Sequence, residues 1–106
     1  MENSRKYKPV PENVEGDFYV VDGCCTLCGV PDSEAPNNFG GYDKDGNVIN
    51  DQCFVKKQPN TDLELKQVIN AMAAQDTLCI RYCGKDKDIQ NEIIKIGEGE
   101  QIDHRV

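Results

Sequence analysis

Apolar residues along the chain fall into short groups separated by polar or turn-forming segments. Phe18-Tyr19-Val20-Val21 is a β-branched and aromatic run preceded by Gly16, and it predicts a first strand. Cys53-Phe54-Val55 predicts a second, closed at Gln58-Pro59 because a residue before proline is driven to extended geometry. Cys79-Ile80-Arg81-Tyr82-Cys83, ended by Gly84, predicts a third. Leu65, Val68, Ile69 and Met72 recur at helical spacing, which predicts a helix over 61–74 with those four buried and Glu64, Lys66, Gln67 and Asn70 in water. The helix begins on the capping box Thr61-Asp62-Leu63-Glu64. A last helix over 86–96 is expected to turn Ile89, Ile93 and Ile96 to one face and to stop at Gly97. Asp32 to Asn37 suits a single helical turn.

Strand, loop, strand, helix, strand, helix is an α+β order. The simplest closure pairs 18–21 antiparallel with 79–82 and lays the first helix across them, so that the chain ends meet in space. The length of 106 residues fits one domain, and no internal repeat or linker divides it. Residues 1–12, polar and carrying Pro9 and Pro11, read as a mobile N-terminal tail. Residues 13–84 form the main unit, and 85–106 a C-terminal helical extension packed on it. Asp43-Lys44-Asp45-Gly46-Asn47 has the chemistry of a hairpin turn. Its spacing does not make a calcium loop, because the twelfth position counted from Asp43 is Phe54 rather than a bidentate glutamate.

Charge narrows the partners. Twelve Lys and Arg against nineteen Asp and Glu leave a net charge of −7, a field that repels nucleic acid and anionic membranes and suits a protein with a basic surface. No apolar run resembles a secretion signal or approaches the ~20 residues of a membrane span, so the expected location is the cytoplasm. Thiols stay reduced there, and the six Cys read first as metal ligands or small buried hydrophobes, with disulfides as the alternative. Enzymatic chemistry is not expected. The single His, His104, lies near the C-terminus, where a frayed surface residue is the simpler reading, and no Gly-rich phosphate loop occurs. Cys25-x-x-Cys28 lacks the preceding βαβ unit of a thiol oxidoreductase.

Asn13-Val14-x-Gly16-x-Phe18-Tyr19-Val20, Cys25-x-x-Cys28, Ala35-Pro36-x-x-Phe39, Cys53-Phe54-Val55-x-x-Gln58-Pro59 and the segment from Ala74 through Tyr82 occur in the order seen in single-cluster bacterial ferredoxins. Over 13–84 the chain resembles that family. The resemblance implies a ferredoxin-like fold, with a small antiparallel sheet, two main helices and a Cys-containing loop, and one [4Fe-4S] or [3Fe-4S] cluster held by Cys thiolates. It places Cys25 and Cys28 on the first two ligand positions of the loop. Pro31 stands at the third, and Gln75-Asp76 stand where the distant Cys-Pro is expected.

Two of four thiolates are thus replaced, and the sequence leaves the cofactor open, with an iron–sulfur cluster the first candidate and zinc the second. Candidate ligands are Cys25, Cys28 and Cys79, with one of Cys24, Cys53 or Cys83. A zinc set of Cys25, Cys28, Cys79 and Cys83 has acceptable spacing, but an extended strand separates residues four apart by about 13 Å, while sulfurs sharing one zinc lie within ~4 Å. Two functional readings follow. The first is a ferredoxin-derived acidic protein that binds, and inhibits, a basic protein partner in the manner of an immunity or antitoxin protein, through Asp43, Asp45, Asp86, Asp88, Glu98 and Glu100. The second is an electron carrier with atypical cluster ligation.

Overall fold

A computed structural model describes residues 6–23, 33–40, 53–74 and 79–104. Its elements run β1 (Phe18–Val20), β2 (Phe39–Gly40), β3 (Phe54–Val55), α1 (Asp62–Ala74), β4 (Ile80–Tyr82) and α2 (Lys87–Lys95), followed by a 3-10 turn at Gly99–Gln101. The class is α+β, with two helices and two small antiparallel sheets. β1 pairs with β4, Phe18 opposite Tyr82 and Val20 opposite Ile80, as the sequence predicts. β2 pairs with β3, Phe39 opposite Val55. The expected hairpin turn at 43–47 lies outside the described residues.

The β1–β4 ribbon is buried on both faces, and its two faces differ in chemistry. Strand alternation puts Phe18, Val20, Ile80 and Tyr82 on one side, where they join Val68, Met72 and Ile93 in the core. Phe18 and Tyr82 meet as a cross-strand aromatic pair with ring centroids 4.8 Å apart. Tyr19 and Arg81, opposite each other, occupy the other side. Both ribbon edges are also closed. On the β1 edge, the Gln58 amide accepts from Phe18 N–H and donates to Phe18 C=O, and the Asn13 amide does the same for Val20. On the β4 edge Ile102 bridges to Tyr82, and Asp103 N–H donates to Tyr82 C=O. Two side-chain amides therefore stand in for a missing strand, which removes the template for edge-to-edge pairing.

Several sequence expectations are corrected. The two-residue β2 has no alternating pattern long enough to announce it. Glu64, expected in water, is buried: its carboxylate pairs with Lys57 Nζ at 2.9 Å and accepts from the Asn38 side chain and Asn60 N–H. Thr61 Oγ1 accepts from Glu64 N–H as the capping box requires, but Glu64 reaches back one residue past the cap. In α2 the buried positions are Gln90 and Ile93, whereas Ile96 is exposed. Gln90 replaces it because its amide donates to the carbonyls of Gly84 and His104, tying both ends of the extension to the helix. The helix stop is as expected: Gly97 has φ +87°, with Gly97 N–H to Ile94 C=O and Glu98 N–H to Ile93 C=O, a Schellman closure. Ser33 and Glu34 are helical within the expected turn at 32–37.

Where 1–12 reads as a tail, the described part from Lys6 onward lies against the sheet. Val10 is in the core, Pro9 bridges to Val21, and Val10 N–H donates to Val20 C=O. Residues 85–104 share that core through Ile93 and Ile102. No helix among the described residues is long and apolar enough to cross a membrane.

Candidate functional site

Three segments distant in sequence border an open cavity of about 450 Å³. Gly16 and Asp17 enter it from the turn into β1, residues 58–62 from the approach to α1, and Tyr82 and Ile89 from the end of β4 and the first turn of α2. Each approach has a local cause. Gly16 has φ +146°, in a region that disfavours side chains, and this turn leads into Asp17, which lines the cavity. Gln58, fastened to Phe18 on both sides, lies over Gly16. Thr61 starts α1, and the Asp86 carboxylate starts α2 by accepting from Asp88 N–H at 2.9 Å and Ile89 N–H at 3.2 Å.

Pro59, Leu65 and Ile89 give the cavity apolar walls, and Asp17 and Asp62 give it two carboxylates. No Lys or Arg lines it among the described residues. At its base, burial pushes the Tyr82 hydroxyl up to about 12, with the Asp17 and Asp86 charges adding to the shift. The hydroxyl therefore stays protonated across the physiological range and accepts from Asp86 N–H. Gly84 packs beside this hydroxyl: a Cβ there would fall within 3.0 Å of both the Tyr82 hydroxyl and the Asp17 carboxylate. The arrangement suits a cation carried on an apolar stem.

Of the cysteines expected as ligands, Cys53, Cys79 and Cys83 fall among the described residues. Cys25 and Cys28 lie outside the described residues, as does Cys24. Cys79 is fully buried and disulfide-bonded, its partner sulfur lying outside the described residues. A disulfide sulfur is not a thiolate, so the ligand role expected of Cys79 belongs to a reduced chain only. Cys53 and Cys83 are buried thiols. Antiparallel bonds continue past both ends of β4, Val21 N–H to Cys79 C=O and Cys83 N–H to Asp17 C=O. The backbone is thus extended from 79 to 83, which keeps those two sulfurs from sharing one ion. Among the described residues no three His, Cys, Asp or Glu side chains converge as a metal site requires. The described donors alone do not fit a cluster.

Of the acidic residues singled out from the sequence, the four described ones fall into two separate pairs. Asp43 and Asp45 lie outside the described residues. Asp86 and Asp88 sit at the start of α2, and Glu98 and Glu100 beyond its end, with a nine-residue helix of about 13 Å between them. Asp86 is engaged in its cap and Glu98 accepts from the Gln101 amide. His104 is partly buried, its carbonyl held by Gln90, rather than frayed. Sequence reasoning missed Asp17, Asp62 and Tyr82 as neighbours, and only the capping box at 61–64 gave a local signal of where one wall stands.

On the opposite face of the ribbon a second polar cluster holds the chain ends together. Asp103, its side chain fully buried, accepts from Arg81 Nε at 2.6 Å, from the Tyr19 hydroxyl and from Lys6 N–H. The Arg81 guanidinium lies 4.4 Å from the Tyr7 ring centroid and donates to Glu100 C=O. Burial and the Asp103 hydrogen bond raise the Tyr19 hydroxyl above its ordinary range. Asp103, Tyr19 and Arg81 each have an internal partner, which marks the cluster as structural. No protein family, curated protein or solved structure matches this chain.

Proposed function

We propose that this chain is a non-enzymatic acidic binding protein whose partner presents a basic surface, acting as an immunity or antitoxin protein does. Its fold is then the scaffold of a single-cluster ferredoxin put to a docking use. The observation that carries this reading is an open cavity lined by Asp17 and Asp62 in a chain of net charge −7. The closed edges of the β1–β4 ribbon favour the same conclusion, because they leave side-chain docking rather than strand addition as the mode of contact at that ribbon.

The test is capture of a defined basic protein from the source cell on immobilised chain, followed by titration of the purified pair. Binding that weakens steeply as salt is raised supports the reading, since exposed charge pairs are screened beyond ~8 Å at physiological ionic strength. Stoichiometric iron and acid-labile sulfide in protein purified without oxygen, with no such partner, overturns it in favour of electron transfer.

A further inference from the structure

We infer that the fold carries a redox-sensitive lock: a disulfide from Cys79 to one of Cys24, Cys25 and Cys28, whose reduction removes stability from the native chain. Cys79 is disulfide-bonded and fully buried in the core. Cys53 and Cys83 are thiols, so of the six Cys those three are the ones left to supply its partner. The described backbone leads to the same place. Val21 N–H donates to Cys79 C=O at 2.9 Å, which sets the end of β1 beside the start of β4. Gly23, with φ +76°, turns the chain immediately ahead of the three cysteines. They follow Val21 within a short length of chain, well able to span the roughly 4.4–6.8 Å between Cα atoms that a disulfide needs.

The bond matters because of what it encloses. β2, β3 and α1 all lie between its ends in sequence, in a covalent loop of about fifty residues. Closing a loop of that length withdraws conformations from the unfolded chain, so the oxidised fold holds stability that the reduced one lacks. Surroundings then set which form is present. An oxidising compartment preserves the bond, whereas a dithiol reductant of the kind that keeps cytosolic thiols reduced opens it. One reductant thiolate bonds to a bridge sulfur and expels the other as thiolate, and the second reductant thiol then displaces the mixed disulfide. The chain takes up two electrons and two protons, and the dithiol leaves as a disulfide. A buried thiol that fills space as a small hydrophobe carries no such dependence; a bonded sulfur does.

The experiment uses the full chain purified without reductant and alkylated with N-ethylmaleimide as it unfolds. Trypsin cuts after Lys66 and Arg81 isolate Cys79, and a cut after Lys44 keeps Cys24, Cys25 and Cys28 on one peptide. Mass spectrometry should find those two peptides joined, with Cys53 and Cys83 alkylated. In excess dithiothreitol the thermal midpoint should fall by at least about 5 °C. Cys79→Ser should begin at the lowered midpoint and show no further fall. Alkylated Cys79 overturns the inference. A joined pair whose reduction moves the midpoint by less than about 5 °C overturns it too, since the bond is then no lock. An equal fall in Cys79→Ser and the wild-type chain does the same, because the responsive bond then lies elsewhere. If the variant does not fold, the peptide map and the wild-type midpoint decide, and absence of either the joined pair or the fall sinks the lock. The binding function stands or falls separately, on its partner.

Discussion

At the scale of single residues, Gly16 is closed to exchange on two counts. Its positive φ is strained for any side chain, and a Cβ would fall within 3.0 Å of the Gln58 amide, itself fixed to Phe18. Gly16→Ala is expected to destabilise by about 1–3 kcal/mol in urea unfolding. Glu64 carries a pH dependence. Hydrogen bonding from Lys57, with help from Asn38 and Asn60, holds its carboxyl below the ordinary value of 4.5 despite burial. A carboxyl depressed in the fold contributes stability above its unfolded value, and that contribution is lost as pH falls through the folded value. The wild-type chain should therefore lose stability more steeply than Glu64→Gln as pH falls below the ordinary carboxyl value of 4.5, measured as unfolding midpoints. Glu64 was not legible as a buried residue, because helical periodicity assigns it to water and the groups that bring it inside, Asn38 and Lys57, lie elsewhere in the chain. Asn13 and Gln58 escaped notice for the same reason: an amide that replaces a strand looks like any polar loop residue.

Elements were more legible than residues. Runs rich in β-branched and aromatic residues located β1, β3 and β4, and the capping box and Gly97 bounded both helices to within a residue or two. The failures are equally physical. β2 is two residues long and half glycine, so its strand state comes from pairing with β3 rather than from propensity. In α2 the expected Ile96 gave way to Gln90, because hydrogen bonds to two carbonyls outweighed the apolar pattern in the last turn. Two substitutions separate these contributions. Asp86→Ala removes both bonds to the first turn and should cost about 0.5–2 kcal/mol, visible in the thermal midpoint. Ile93→Ala truncates a fully buried side chain and should cost about 2–5 kcal/mol in the same assay. A loss below that for Asp86→Ala would place Ile93 wrongly at the centre of the packing.

For the molecule as a whole, the α+β class and the antiparallel closure of β1 on β4 followed from sequence, while the cavity did not. It forms where three segments meet, and no one of them contains a motif for it. The Asp103 cluster was likewise invisible, since its members run from Lys6 to Asp103. Asp103→Asn leaves the Arg81 guanidinium buried without its counter-charge and is expected to destabilise by about 3–5 kcal/mol, measured by chemical unfolding. The Lys6 amide lies 2.8 Å from the Asp103 carboxylate, so the backbone comes in and goes out at one spot. Such a cassette can be spliced into a surface loop of a host protein without prying either fold apart, as domain insertion at adjacent termini allows.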